Sequence, residues 1–173
     1  MPLRHIARAV LRGPVSEKLT APAPATVGEL AARLDAASQA RLGRSLAIRH
    51  VDAGSCNGCE LELHALQNIV YDLERFGLRF VASPRHADVL LVTGPVTRNL
   101  VEALRATVAA APDPKWVVAV GDCGVDGGVF KGSYAVVGGV SAAVPVDLVI
   151  SGCPPTPAQV LLGLRALLEA NAG

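Results

Sequence analysis

Val51-Asp52-Ala53-Gly54-Ser55-Cys56-Asn57-Gly58-Cys59-Glu60-Leu61-Glu62 carries an apolar run through a short polar loop into a helical pattern, with two cysteines spaced by two residues on the loop. Two thiolates so placed grip one metal centre. The chain has only two further cysteines, in Gly121-Asp122-Cys123-Gly124 after Trp116–Val120 and in Gly152-Cys153-Pro154-Pro155 after Val146–Ile150. Both therefore repeat the setting of the first pair, an apolar run that ends in glycine and then cysteine.

Outward from that stretch, β-prone runs alternate with helical patterns. Leu46–Val51 is followed by a helix through Leu61, Leu63, Leu66, Ile69, Val70 and Leu73, then Leu78–Ala82, then Asp88–Val92. A helix around Leu100–Ala111, the run Lys115–Val120, a glycine-rich stretch, the run Val144–Ile150 and a last helix from Pro157 complete the order. Continuous apolar strands joined by helices make a parallel sheet covered on both faces, with right-handed crossovers. The last helix is expected to bury Val160, Leu161, Leu164, Leu167 and Leu168, each stabilising by ~1.5–3 kcal/mol when fully covered. In this topology Cys56 and Cys59, Thr93-Gly94-Pro95, Cys123 and Cys153 all follow the carboxyl end of a strand, the edge where open parallel sheets bind ligands. The 64 residues from Cys59 to Cys123 and the 30 from Cys123 to Cys153 exceed any local knuckle but suit successive strand ends.

At 173 residues and 51% hydrophobic composition, the chain can bury a core without a disulfide staple. Residues 1–50 hold eight Lys and Arg against three Asp and Glu, net +5, so the remainder carries −4. No aromatics interleave these dispersed cations, which argues against a nucleic-acid surface and for contact with a partner or an anionic membrane. Ala21-Pro22-Ala23-Pro24-Ala25 reads as a linker, and Thr26-Val27-Gly28-Glu29 as a capping box opening an amphipathic helix with Leu30, Leu34 and Leu42 on one side, ending near Gly43. The expected organisation is a basic arm and helix over 1–45 and an α/β domain over 46–173. No apolar run reaches a membrane span, and the start lacks a secretory pattern. A soluble cytoplasmic chain is therefore expected, in which cysteines serve as metal ligands or redox groups.

Three chemistries suit the four thiols. Tetrahedral zinc is one, but zinc modules usually pair two CxxC knuckles, and this chain has one. A redox dithiol leaves Cys123 and Cys153 without a role. Cys-Pro with glycine beside the sulfur is an iron–sulfur cue, and glycines at 54, 58, 121, 124 and 152 leave room for a bulky cluster approached by backbone N–H groups. A nucleotide site has little support, since no G-x-G-x-x-G follows a strand and Lys131-Gly132-Ser133 lacks the phosphate-loop order.

The chain resembles the small, electron-transferring subunit of group 4 membrane-bound [NiFe] hydrogenases, homologous to the B-type (20 kDa-like) subunit of respiratory complex I. The resemblance runs from about Leu46 to Leu168 and rests on ordered blocks. These are Gly54–Glu62; Tyr71-Asp72-Leu73-Glu74-Arg75-Phe76-Gly77; Ser83-Pro84-Arg85-His86-Ala87-Asp88 through Val96; Gly121-Asp122-Cys123 with Gly127-Gly128; Val144-Pro145-Val146-Asp147; and Gly152-Cys153-Pro154-Pro155-Thr156. It implies a flavodoxin-like α/β domain with one [4Fe–4S] cluster on Cys56, Cys59, Cys123 and Cys153. Gly58, Gly121, Gly124, Gly152 and Pro154 are expected around the cluster, Arg85 near the cluster or at the large-subunit interface, and Glu62 in a proton or interface role. The implied partners are a [NiFe] hydrogenase-type large subunit, a ferredoxin-like iron–sulfur subunit and membrane subunits, which would hold the chain peripherally at the cytoplasmic side of the cell membrane.

Two departures separate the branches of that family. Complex I subunits of this type look like tandem Cys-Cys before their glutamate, whereas this chain has Cys56-Asn57-Gly58-Cys59 with Glu62 three residues on, similar to the hydrogenase form. Larger [NiFe] small subunits carry cysteines for further clusters, and four in total leave none for them. The competing expectations are the same relay in a complex I-like quinone oxidoreductase and, from another class, a zinc-stabilised interaction domain. A hydrogenase large subunit must supply two CxxC pairs for nickel, so the neighbouring subunit's sequence distinguishes the first two.

Overall fold

In the computed structural model, which describes residues 24–76 and 78–170, five parallel strands form the centre. They are β1 (Ala47–Asp52), β2 (Arg79–Phe80), β3 (Val89–Thr93), β5 (Trp116–Val120) and β7 (Leu148–Ile150), in the spatial order β2-β1-β3-β5-β7. Counting only these five, that is the 2-1-3-4-5 order of flavodoxin-like sheets, whose direction of winding reverses between β1 and β3. Register runs Ile48 beside Val89, Val89 beside Trp116 and Val118 beside Leu148, so the strands end together and their following loops share one edge.

Period-2 alternation divides the core in two. Val89 and Leu91 face a layer with Ile48, Val118 and Ile150, covered by α1 (Pro24–Leu42), α2 (Gly58–Ala65) and α5 (Pro157–Ala170). Leu90 and Val92 face the other side, with Val117, Ala119 and Leu104 of α3 (Val101–Ala110). The five apolar residues expected to be buried on α5 are all buried, and Pro157 occupies its first turn, where its missing N–H costs nothing.

The amino-terminal helix starts at Pro24, inside the stretch read as linker, because proline is pre-organised for a first helical turn. Its Ala31 and Leu34 are fully buried in the same core cluster as α5 and the sheet, with Leu30 and Leu42 packed against them. The helix assigned to a separate arm thus shares the core of the α/β domain. Arg44, just beyond it, reaches Asp88 at the start of β3 with two bonds of 2.9 and 2.5 Å. The side chain of Thr26, proposed as a cap, and the arm before Pro24 lie outside the described residues.

The helix expected to run from Leu61 to Leu73 is shorter. After Ala65 the chain tightens, and the Asn68 side chain accepts the N–H groups of Val70 (2.9 Å) and Tyr71 (3.2 Å). An Asx turn of that kind competes with helical hydrogen bonding. Ile69 and Val70, expected to lie on that helix, fall beyond its end and are exposed, while Leu73 is buried in a 3₁₀ turn at Leu73–Phe76. The strand expected over Val144–Ile150 is confined to Leu148–Ile150, because Pro145 has no N–H and the Asp147 carboxylate takes the Val117 N–H at 2.7 Å. The glycine-rich stretch holds the five-residue α4 (Asp122–Asp126) and β6 (Val136–Gly138), which pairs antiparallel with β4 (Val96–Thr97). Among the described residues, no helix is long and apolar enough to cross a membrane.

Candidate metal centre

Four loops leave the carboxyl ends of β1, β3, β5 and β7 and bound one cavity of about 150 Å³. Cys56, Cys59, Cys123 and Cys153 all line it, with Ser55, Gly58, Gly94, Asp122, Gly152 and Pro154. The sheet does the gathering, because strands of matched register deliver residues far apart in sequence to one edge. All four are free thiols; Cys59 and Cys123 are buried, and Cys56 and Cys153 are exposed.

Each loop is shaped by local hydrogen bonds. The Asp52 carboxylate accepts the N–H groups of Gly54 and Ser55, both at 2.8 Å, and Ser55 Oγ accepts that of Asn57 at 3.1 Å. This turns the chain sharply enough to place Cys56 before α2 and Cys59 in its first turn. Asn57 itself holds a left-handed conformation, φ 71°, which its short polar side chain tolerates. On the other side the Asp122 carboxylate accepts the Gly152 N–H at 2.8 Å, and the Asp122 N–H donates to the Gly152 carbonyl at 2.9 Å.

The glycines test whether a cluster fits. A Cβ on Gly121, whose φ is 86°, would stand 2.5 Å from Cys59 Sγ, and one on Gly128 would stand 2.8 Å from Cys123 Sγ. Side chains there would drive the thiols from their places, so these backbones are cleared for sulfur. Gly152 has its own constraint, since a Cβ would come within 2.6 Å of Pro155 Cα. Four thiols around one cleared cavity suit a thiolate-held cluster. A single zinc ion needs its thiolates about 3.8 Å apart, given bonds near 2.3 Å in a tetrahedron. Among the described residues no group of three or more His, Cys, Asp or Glu is placed to hold one metal ion.

The electrostatics bear on loading. Burial, with the neighbouring Glu60 next in weight, pushes the Cys59 thiol up to about 12. Burial, then Cys153, raises Cys123. Both are thiols at neutral pH, and forming metal–thiolate bonds there must release their protons.

The other expected residues divide. Gly58, Gly152 and Pro154 line the cavity and Gly121 borders it, but Gly124 packs against Ala119 and Val140. Arg85 is exposed in the 3₁₀ turn Pro84–His86 that precedes β3, at the amino ends of the strands and so the edge opposite the thiols. Glu62 is half-buried on α2 and does not line the cavity.

The carboxylate that α2 buries is Glu60. It is 6% exposed, accepts a hydrogen bond from Thr93 Oγ1, and has Oε1 3.4 Å from His50 Nε2. His50 Nε2 lies 3.0 Å from Thr93 Oγ1 as well, so the ends of β1 and β3 are tied to the turn of α2 that bears Cys59. Helical spacing held the signal: Glu60 is three residues from Leu63 and shares its buried face.

Burial lowers the His50 pKa from 6.5, against the raising effects of Glu60 and Asp52, while His64 lowers it further. A base whose folded pKa is depressed contributes fully above 6.5 and loses that contribution as pH falls toward the folded value, because the unfolded state binds the proton first. Lowering the pH from 7.5 to 5.5 is therefore expected to reduce the denaturation midpoint less in His50→Gln than in the parent chain. An identical drop in both removes His50 as the cause.

Comparison with known proteins agrees with this geometry. Residues 56–167 match the family model of the NADH ubiquinone oxidoreductase, 20 Kd subunit. The chain is 46% identical over 147 residues to formate hydrogenlyase subunit 7 of Escherichia coli (strain K12), covering 85% of this chain but only 58% of that protein. It is 46% identical over 131 residues to the probable membrane-bound hydrogenase subunit mbhJ of Pyrococcus furiosus, covering 76% of this chain and 78% of the relative. A chain of the membrane-bound sulfane sulfur reductase, an archaeal respiratory membrane complex, superposes with a TM-score of 0.65 at 34% identity, over 84% of this chain and 74% of that one. With its match extending over most of the sheet and all four cysteines, the chain belongs to the family of the NADH ubiquinone oxidoreductase 20 Kd subunit.

Proposed function

We propose that this chain is an electron-transfer subunit of a membrane-bound hydrogenase-type complex, holding one [4Fe–4S] cluster on Cys56, Cys59, Cys123 and Cys153. The observation that carries the reading is the convergence of all four cysteines, from three separate strand ends, on one cleared cavity. When bound, such a cluster supplies one-electron transfer without proton chemistry of its own. The chain's residues provide the ligands, exclude bulk from the sulfurs by glycine backbone, and hold the Cys59 turn through Glu60, Thr93 and His50. The partners of this reading are a hydrogenase-type large subunit, a ferredoxin-like donor or acceptor, and membrane subunits that hold the chain peripherally at the cytoplasmic face. Chemistry on hydrogen would belong to the large subunit.

The relatives named as hydrogenase and formate hydrogenlyase subunits, together with the two-residue spacing of the first cysteine pair, support the hydrogenase branch. The family model itself, drawn on a quinone-reducing complex, favours the second reading, the same relay in a complex I-like oxidoreductase. Metal analysis of the full chain purified without oxygen tests the shared core of both. About four irons with matching sulfide are expected; stoichiometric zinc with neither would replace the relay by a zinc-stabilised interaction domain.

A further inference from the structure

We infer that Asp122 is a positioning residue for the cluster, which clamps the Cys123 and Cys153 loops together and holds the bound cluster at a lower reduction potential. The inference rests on the proposed [4Fe–4S] reading and goes beyond ligation. Asp122 stands at the junction of β5 and β7, where the ladder bond from Gly121 N–H to the Ile150 carbonyl, 2.8 Å, is the last before the loops diverge. Beyond it, Asp122 contributes two bonds to one residue, its carboxylate taking the Gly152 N–H and its N–H reaching the Gly152 carbonyl. The next residue on each strand is a ligand, Cys123 on one and Cys153 on the other. A ring of backbone and carboxylate therefore fixes the spacing of two thiols at a point where strand pairing no longer does.

Asp122, an exposed residue, is among those that line the thiol cavity. Two consequences for potential follow, and they have one sign. Backbone N–H groups that point at cluster sulfurs raise the potential, and the Gly152 N–H is held by Asp122 instead. One-electron reduction adds one negative charge to the bound cluster, and a fixed carboxylate beside it opposes that charge. The pattern recurs at the first pair, where Asp52 holds the N–H groups of Gly54 and Ser55.

The test uses the full chain loaded anaerobically with iron and sulfide and titrated with dithionite as the one-electron donor. Asp122→Asn keeps an oxygen acceptor at the Oδ1 position for Gly152, Asp122→Ser keeps one a bond shorter, and both lose the charge. Both are expected to retain the parent iron content and to shift the reduction equilibrium toward the reduced cluster by about tenfold, or ~59 mV for one electron. Asp122→Ala, which also loses the carboxylate bond of the clamp and keeps only the backbone bond to the Gly152 carbonyl, is expected to hold less iron and to show a broadened electron paramagnetic resonance signal. Loaded Asn and Ser variants with the parent potential would overturn the electrostatic role, and a fully loaded Ala variant with an unaltered signal would overturn the clamp. A parent chain that takes up no iron and sulfide overturns the proposed function, and this inference with it.

Discussion

Cys153→Ser is expected to leave the anaerobically loaded chain without most of its cluster absorbance and without the electron paramagnetic resonance signal of the reduced state. The chain has four cysteines, and all four line the cavity, so none is spare. Serine keeps the size of the side chain, which separates loss of a ligand from loss of packing. Its hydroxyl releases a proton far less readily than a thiol, and a cluster ligand must be an anion. The remaining thiols do not compensate, because burial already holds Cys59 near 12 and raises Cys123, so each loses its proton only when metal replaces it. Cys153 is exposed, and its replacement is expected to leave folding stability within about 0.5 kcal/mol of the parent in the metal-free chain. Iron at the parent level in the variant would show that the ligand set is wrong.

The second large effect is on stability. Asp88→Ala is expected to cost about 2–4 kcal/mol, read from the denaturation midpoint of the metal-free chain. Asp88 is 3% exposed and its carboxylate has three donors: both terminal nitrogens of Arg44 and the Ala47 N–H at 2.9 Å. Its own backbone bonds Ala47 and Trp116, so it joins three strands at their amino ends while anchoring the exit of α1. Removing the carboxylate leaves the Ala47 N–H buried and unpaired, which costs the desolvation of that group. Arg44 is half-exposed and recovers water, which keeps the loss below that of a fully buried pair. Asp88→Asn keeps one acceptor and is expected to cost less than Ala; equal stability of the parent and the Ala variant would show that the pair contributes nothing. The effect sits at the sheet edge opposite the thiols, so cluster content at low denaturant should be unchanged.

The contrast between Asp88 and Arg85 shows how far local pattern reaches. Both fall in one matched block, three residues apart. The place of Arg85 before a strand in a matched block points to a position near the cluster or at the large-subunit interface; the block spans the amino end of β3, and only its far end at Thr93 and Gly94 approaches the thiols. Similarly, spacing from Cys59 points to Glu62. The burial of Glu60 follows instead from which side of α2 meets β1 and β3.

What the sequence determined by itself was the alternation of apolar runs and helical patterns, the position of each cysteine just past a strand, and the buried face of α5. These are consequences of short-range periodicity and of glycine and proline chemistry, which act over a few residues. Tertiary structure alone decided that α1 belongs to the same core, that Glu60 is the enclosed carboxylate of α2 and that Asp122 spans the Cys123 and Cys153 loops. Each depends on strand register and on contacts between residues 30 or more apart, such as Asp122 with Gly152 and Thr93 with Glu60. Pairing of that kind is set when the sheet closes, and no local window contains both partners.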